Sequence, residues 1–359
     1  MSETDVAILA TGALAAAACA LPGAFLVLRG MSLLGDAISH AVLPGIVIAV
    51  LWTGEISSWP VVIGAAATGL VAVFLIESLH RSRRVKEDAS IAVVFPVLFA
   101  LGVVLIAQLA DQVDVDQDCV LYGQIELAPL DRLAFGEWRV VRPVVVLGAV
   151  AFVNLLVIAL LYKELQVATF DAGYALTAGL SPTIVHYGLM SSVSLTAVAS
   201  FESVGAILVV AFLIVPGATA RLLSDRLPVV LALSVVVGVG SSIAGFFFAK
   251  EFDVNFAGAM ATAMGAAFGL AWALSPRSGW IAQLVRERRR TRRFAAALVL
   301  ERLPAEGVTF DTLRADLAWT AAHLRELMRD LVAAGYVDVT ADRYRATPAG
   351  ASYARAVVV

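Results

Sequence analysis

Long apolar blocks alternate with short polar connections over the first three quarters of the chain. Blocks of about 20 apolar residues are long enough to cross the hydrocarbon core of a bilayer as helices. Nine candidates are present: 6–28, 34–53, 60–79, 89–110, 143–162, 184–202, 204–223, 228–249 and 254–274. The blocks 184–202 and 204–223 share one continuous apolar run, so eight crossings remain an alternative. The pattern predicts an all-α polytopic membrane protein.

Composition agrees with this class, and the basic residues orient the spans. Hydrophobic residues make up 60% of the chain and charged residues 15%, which is too apolar for one soluble domain. Basic residues concentrate in alternate connections: Arg29, the run 80–88, Lys163, Arg221 with Arg226, and the run 285–293. The acidic stretches 111–118 and 250–253 occupy the other connections. By the positive-inside rule we expect the amino terminus outside the cell and the carboxyl terminus in the cytoplasm.

Charge returns at the density of a soluble domain after Arg293. Leucines at helical spacing, the alternating stretch 337–346 and the Thr347-Pro348 step predict two helices, a short strand pair and a last helix. This order resembles the winged-helix domain of bacterial transcription regulators. We therefore expect a transmembrane domain at 1–280, a basic juxtamembrane linker at 281–292, and a small winged-helix α+β domain at 293–359.

An aspartate and a histidine interrupt the second apolar block. Asp36 and His40 are four residues apart, which places both side chains on one face of a helix, with Ser32 one turn earlier. An oxygen and nitrogen ligand set without thiolate suits Mn, Zn or Fe(II). The alternative is a salt link that holds neighbouring helices together. The other histidines, His80, His186 and His323, are interpreted as packing or surface residues.

Glu202 is a second charged residue deep in an apolar block. If the spans are simple rods, it lies near the outer junction of two helices, away from Asp36. If 184–223 is instead one broken segment, Glu202 could reach the depth of His40 and act as a third ligand. Proline-glycine pairs follow both sites and predict helix breaks, at Pro44 with Gly45 and at Pro216 with Gly217.

Four stretches of the chain, at 28–50, 85–105, 168–182 and 203–223, resemble the ABC-3 family. Its members are the permease subunits of bacterial ATP-binding-cassette importers for manganese, zinc and iron. The resemblance covers about residues 5–275. It implies that Asp36 and His40 coordinate the transported metal. Glu202 departs from the family pattern, in which uncharged polar residues are common at that place.

The resemblance also implies a fold and a set of partners. The fold is that of a type II importer in the bacterial cytoplasmic membrane, with a central pathway between two permease copies. No phosphate-binding loop of the G-x-x-x-x-G-K-[ST] type occurs in the sequence, so we expect ATP hydrolysis in a separate ATPase subunit. An extracytoplasmic metal-binding protein is the other expected partner, and no cofactor is expected besides the transported ion.

The connection 168–182 is the expected contact with the ATPase. Its small residues would let a short helix lie in a groove of another protein, and the resemblance implies a coupling helix here: Ala175, Ala178, Gly179 and Leu180. The alternative is an ordinary linker between two spans.

Two other functions are alternatives for the whole chain. The first is a membrane-tethered regulator whose winged helix reads DNA; the second is a proton-driven secondary transporter. An anchor needs one or two spans rather than nine with buried charges. Arginines of the run 285–293 are explained by topology and anionic membrane lipids, and the second helix of the domain lacks a strongly basic face. The sequence therefore predicts that nucleic acid is not a partner.

Overall fold

The structure is a computed structural model, and it describes residues 2–54, 59–82, 84–109, 125–135, 138–275, 279–304, 306–340 and 342–358. The chain divides into two compact units, Met1–Ala273 and Leu274–Val359. The acidic connection predicted at 111–118 lies outside the described residues. Each unit is described by itself.

The first unit is a bundle of helices with one small hairpin. Its elements are α1 (Glu3–Leu28), α2 (Ser32–Ala41), α3 (Leu43–Thr53), α4 (Trp59–Arg81), α5 (Glu87–Leu109), a 3₁₀ helix (Ile125–Leu130), β1 (Arg132–Phe135), β2 (Trp138–Val141), α6 (Arg142–Leu160), α7 (Tyr162–Phe170), α8 (Ala172–Thr177), α9 (Pro182–Val204), α10 (Ala206–Leu223), α11 (Leu227–Phe252) and α12 (Phe256–Leu274). Strands β1 and β2 are antiparallel. Among the described residues, nine segments are long and apolar enough to cross a membrane, with α2 and α3 counted as one.

The run 184–223 forms two helices. Helix α9 ends at Val204, and α10 begins at Ala206. Gly205 between them has a φ of +79°, a conformation that glycine adopts without a steric penalty. The nine-crossing prediction is therefore confirmed by the segment lengths, and the single broken helix is not observed.

The two proline-glycine pairs differ in effect. Helix α2 ends at Ala41 and α3 starts at Leu43, with Pro44 in its first turn. Helix α10 continues through Pro216 and Gly217, so the break expected there is absent. Gly217 lies against α1, where an added Cβ would lie 3.0 Å from the Cα of Ala24. Close packing on both sides of α10 keeps the helix continuous despite the amide that proline lacks.

Helix α1 lies at the centre of the bundle and packs against α6, α10 and α11. Small residues allow these backbones to approach. A Cβ placed on Gly23 would lie 2.0 Å from the carbonyl oxygen of Leu213 on α10, so only glycine fits this contact. Close approach at small residues is the usual basis of helix association in membranes, where apolar burial gives little driving force between helices.

The second unit contains α13 (Trp280–Arg302), α14 (Phe310–Leu317), α15 (Ala321–Ala333), β3 (Val337–Thr340), β4 (Arg343–Ala346) and α16 (Pro348–Val358). The strands form an antiparallel hairpin. Thr347 caps α16, because its hydroxyl accepts a hydrogen bond from the amide of Gly350 at 3.1 Å. The predicted order of elements is present. Helix α13 runs without interruption from the expected linker into the domain, and the division into units falls before Leu274.

Candidate metal pair and its surroundings

Asp36 and His40 lie together on α2. The Nε2 atom of His40 is 3.6 Å from the Oδ1 atom of Asp36, one helical turn earlier. The rings of Phe95 and Phe99 on α5 flank the imidazole, with centroids 5.6 and 5.8 Å from it. The helix spacing therefore brings the two predicted ligands side by side, and the aromatic rings restrict the orientation of the histidine.

The pair lies on the face of α2 that the chain does not bury. Neighbouring positions Leu34, Ala37 and Ile38 are at most 2% exposed, whereas the side chain of Asp36 is 45% exposed and that of His40 is 23% exposed. This face belongs to a segment long and apolar enough to span a membrane. A carboxylate in that position requires a partner or a water-filled cavity, since lipid solvates it poorly.

Glu202 lies elsewhere. Its Oε1 atom is 3.4 Å from Nη1 of Arg142, and the same guanidinium nitrogen is 3.5 Å from Asp131. These residues line a pocket of about 170 Å³ at the end of α9. We call this end of the bundle the Glu202 end.

The expected third ligand is therefore not brought to the pair. Ser194 on α9 lies beside Gly69 of α4, which also approaches Ile38 of α2, and Glu202 is eight residues further along α9. That separation is about 12 Å of helix rise. Among the described residues, no group of three histidine, cysteine, aspartate or glutamate side chains could hold a metal ion. The physical reason is that α9 runs straight to Val204 instead of breaking inside the membrane.

The predicted coupling segment forms the short helix α8 and the turn after it. Asp171 caps α8 by accepting a hydrogen bond from the amide of Tyr174 at 2.8 Å. Gly179, with a φ of +79°, ends the helical turn, and the amide of Leu180 bonds to Ala175. Ala178 and Gly179 are exposed, as expected.

Ala175 is a correction to the expected contact. Its side chain is fully buried within the chain, so it cannot contact another protein. Residues that the sequence pattern did not single out are exposed instead, since Tyr174 is 62% and Leu176 is 65% exposed. One face of α8 packs inward, and the opposite face presents larger apolar side chains than predicted.

A polar cluster lies at the opposite end of the bundle from Glu202, where α1 and α4 end and α9 begins. Nε of Arg29 donates to the hydroxyl of Thr169 on α7 at 3.2 Å. Glu77 on α4 accepts from Nε of Arg81 at 2.8 Å, and its other oxygen is 3.8 Å from Nε2 of His186 on α9. We call this end the arginine end.

The sequence pattern does not indicate this cluster. It predicts His186 as a packing or surface residue, whereas the structure places Glu77 beside it. Glu77 is a charged residue inside the apolar block 60–79. The criterion that indicates Asp36 and Glu202, a charge within an apolar block, therefore also indicates Glu77. Burial lowers the pKa of the Arg29 guanidinium, yet an arginine remains protonated in proteins.

In the second unit, α15 is the helix that would read DNA in a winged helix. Two of its acidic residues, Glu326 and Asp330, pair with Arg292 of α13. The guanidinium of Arg325 lies over the ring of Phe310 at 5.6 Å. The side chains of several arginines in 285–293 lie outside the described residues. Helix α15 thus carries acidic as well as basic side chains, and the two acidic ones named here pair with Arg292.

The sequence model of the ABC 3 transport family matches residues 2–274. The chain belongs to this family. The match ends where the second unit begins, so the winged-helix assignment stays a prediction.

Relatives in the ABC 3 transport family have names that refer to metal transport. The chain is 45% identical over 280 residues to a manganese transport system membrane protein, MntD of Bacillus subtilis, covering 78% of this chain and 95% of that protein. It is 43% identical to a zinc transport system membrane protein, TroD of Treponema pallidum, covering 73% of this chain and 71% of that protein.

A solved structure shares the fold. PsaBC from Streptococcus pneumoniae in complex with Fab contains a chain that superimposes with a TM-score of 0.65 at 29% identity. The match covers 77% of this chain and 94% of that chain. The helical architecture described above is therefore that of a known family structure.

Proposed function

We propose that this chain is the membrane permease subunit of an ATP-binding-cassette importer for a divalent transition metal ion, Mn²⁺, Zn²⁺ or Fe²⁺. The observation that supports it most directly is the Asp36–His40 pair, with its atoms 3.6 Å apart on a half-exposed face of a membrane segment. Family membership and the names of the relatives support the same conclusion.

The proposed site needs a second copy of the chain. One chain supplies two ligands, and tetrahedral or octahedral transition-metal sites use four or more. Two copies related by a twofold axis would bring two carboxylates and two imidazoles to one point, and would cover the exposed face of α2. This arrangement places the pathway between the copies, and the ion is cargo rather than a permanent cofactor. Glu202 is outside this ligand set, at the other end of α9.

The proposed orientation places the arginine end in the cytoplasm, with the amino terminus outside and the protein in the bacterial cytoplasmic membrane. The distribution of basic residues supports it, because Arg29, Arg81 and Arg221 all follow spans that end on this side. An extracytoplasmic metal-binding protein would then approach the Glu202 end.

A separate ATPase would bind at α8 in the cytoplasm. The short helix is exposed apart from Ala175, and Tyr174 and Leu176 present apolar surface to solvent. The second unit would be a cytoplasmic accessory domain. The pairing of Glu326 and Asp330 with Arg292 supports contact with protein rather than with DNA, and so disfavours the tethered-regulator alternative.

Metal uptake in cells tests the proposal. Cells that lack this gene should take up less of one metal, with manganese, zinc and iron measured separately, and the gene should restore uptake. Asp36→Ala and His40→Ala should abolish the restoration while the protein remains in the membrane, since each removes a ligand and an apolar residue favours insertion.

His80→Ala is the matched control, because His80 is an exposed histidine at the end of α4, and it should leave uptake unchanged. Normal uptake by either Asp36→Ala or His40→Ala would remove the site assignment. Unchanged uptake of all three metals in the deletion strain would remove the proposed function.

A further inference from the structure

The segment proposed to bind the ATPase lies between α7 and α9, and both flanking helices make polar contacts near it. Thr169 is in the last turn of α7 and accepts a hydrogen bond from Arg29 at 3.2 Å. His186 is in the first turns of α9, with its Nε2 atom 3.8 Å from Glu77. The two contacts thus lie on the helices that precede and follow α8 in the chain.

Both contacts involve residues of elements that adjoin α2, the helix of Asp36 and His40. Arg29 is the cap of α1, and the short turn after it enters α2, with Asp36 seven residues further on. Glu77 belongs to α4, which packs against both α2 and α9. A displacement of α7 or α9 would therefore act on α2 through the Arg29–Thr169 hydrogen bond at one side and the His186–Glu77 contact at the other.

The cluster is incompletely bonded in this conformation. Nη2 of Arg29 and Nε2 of His186 are buried and have no hydrogen-bond partner among the described residues. A buried polar atom without a partner costs about 1–3 kcal/mol relative to a paired one. Glu77 divides its oxygens between Arg81 and His186.

A second metal site is the competing explanation for Glu77 and His186. The charges around them oppose it. Nε of Arg81 already donates to one oxygen of the Glu77 carboxylate at 2.8 Å. A guanidinium bound to that carboxylate repels a divalent cation that would bind there.

We propose that Arg29 and His186 are positioning residues, which transmit the movement of the ATPase-binding segment to α2 and so to the Asp36–His40 pair. The proposal rests on the proposed function, in which α8 binds the ATPase and α2 binds the metal. Neither residue contacts the metal or the nucleotide. Their effect is on how much transport each ATP hydrolysis event produces.

The test uses the full permease with its ATPase, reconstituted in liposomes, and Mn²⁺ as the probe. Transport and ATP hydrolysis are measured on the same sample, and their ratio is the readout. Thr169→Val removes the acceptor of Arg29 at nearly constant volume, and His186→Leu removes the contact to Glu77. Thr169→Val should lower the ratio roughly threefold to tenfold, the equivalent of one lost hydrogen bond. His186→Leu should lower the ratio by less, because the contact that it removes is longer than a hydrogen bond, at 3.8 Å.

Two further variants separate a positioning role from a structural one. Thr169→Ser restores the hydroxyl and should restore the ratio. Combining Thr169→Val with His186→Leu should lower the ratio by more than the product of the single effects, because two parallel connections then fail together. Arg221→Gln is the matched control, since Arg221 is also at the arginine end but binds Asp225 within its own segment at 2.6 Å.

The outcomes are distinct. An unchanged ratio in Thr169→Val and His186→Leu would overturn the inference, and so would an equal fall of transport and ATP hydrolysis or a loss of assembly, because these indicate a structural contact only. Failure of the proposed function itself would be visible in the unsubstituted protein, which would then transport no metal.

Discussion

Two regions of the bundle bury polar side chains between helices in opposite ways. Asn154 of α6 lies in the middle of the bundle and is fully bonded. Its Nδ2 atom donates to the carbonyl of Ala18 at 3.0 Å and to the hydroxyl of Thr196 at 2.7 Å. Its Oδ1 atom accepts from the hydroxyl of Ser192 at 2.7 Å. This network joins α1, α6 and α9.

The arginine end is bonded less completely. Arg29 and His186 each have a buried nitrogen without a hydrogen-bond partner among the described residues. We infer from this difference that the Asn154 network holds the middle parts of α1, α6 and α9 together. The arginine end, beside the segment proposed to bind the ATPase, is bonded less completely.

The largest loss of folded protein is expected from a change at the close contact between α1 and α10. In Gly23→Ala the added Cβ would lie 2.0 Å from the Leu213 carbonyl oxygen, and α1 and α10 would have to separate. We expect loss of the folded protein, measured as yield of monodisperse material after detergent extraction. Gly240→Ala is the control, because nothing lies within 4 Å of its Cβ position. Normal yield of Gly23→Ala would show that α1 is less tightly held than described.

Removing the satisfied network should have the next largest effect. Asn154→Leu leaves the hydroxyl of Ser192 and the carbonyl of Ala18 without this partner, which costs about 1–3 kcal/mol. The midpoint of thermal unfolding should fall, while transport per ATP hydrolysed by the remaining folded protein should not change. Replacing Asn255, which caps α12 at an exposed end, by leucine should lower the midpoint less.

An altered transport ratio in Asn154→Leu with an unchanged unfolding midpoint would contradict the stabilising role inferred for the Asn154 network. Thr169→Val removes an acceptor of Arg29, so its unfolding midpoint should also fall. It differs from Asn154→Leu in that the transport ratio of the remaining folded protein should fall as well.

The smallest effect is expected at the Glu202 end. Glu202 is 53% exposed and its ion pair with Arg142 is solvated, and such pairs contribute about 0–1 kcal/mol. Glu202→Gln should leave both the unfolding midpoint and metal uptake close to those of the unsubstituted protein. Asp36→Asn, measured in parallel, should abolish uptake. A loss of uptake in Glu202→Gln as large as that in Asp36→Asn would restore Glu202 as a ligand.

The membrane-length helices and the proximity of Asp36 to His40 could be predicted from the sequence, because both depend on local spacing. An apolar block of sufficient length specifies a membrane helix, and a four-residue interval specifies one helix face, as for Asp36 and His40. The cap at Thr347 was predictable for the same reason, since capping uses residues three apart.

Features that depend on distant partners were not predictable. The contacts of Arg29 with Thr169 and of Glu202 with Arg142 join residues far apart in the chain, and no local pattern relates them. The continuity of α10 through Pro216 depends on its tight packing against α1. The inward direction of Ala175 depends on which face of α8 meets the bundle.

The half-exposed face of α2 has a genetic consequence. If each site is completed by two copies, a chain without Asp36 also disables the intact chain with which it pairs. Such an allele would be dominant over the normal one when both are expressed, whereas an allele that prevents folding, as expected of Gly23→Ala, would be recessive. Dominance or recessiveness of an allele would then distinguish residues that bind the metal from residues that are needed for folding.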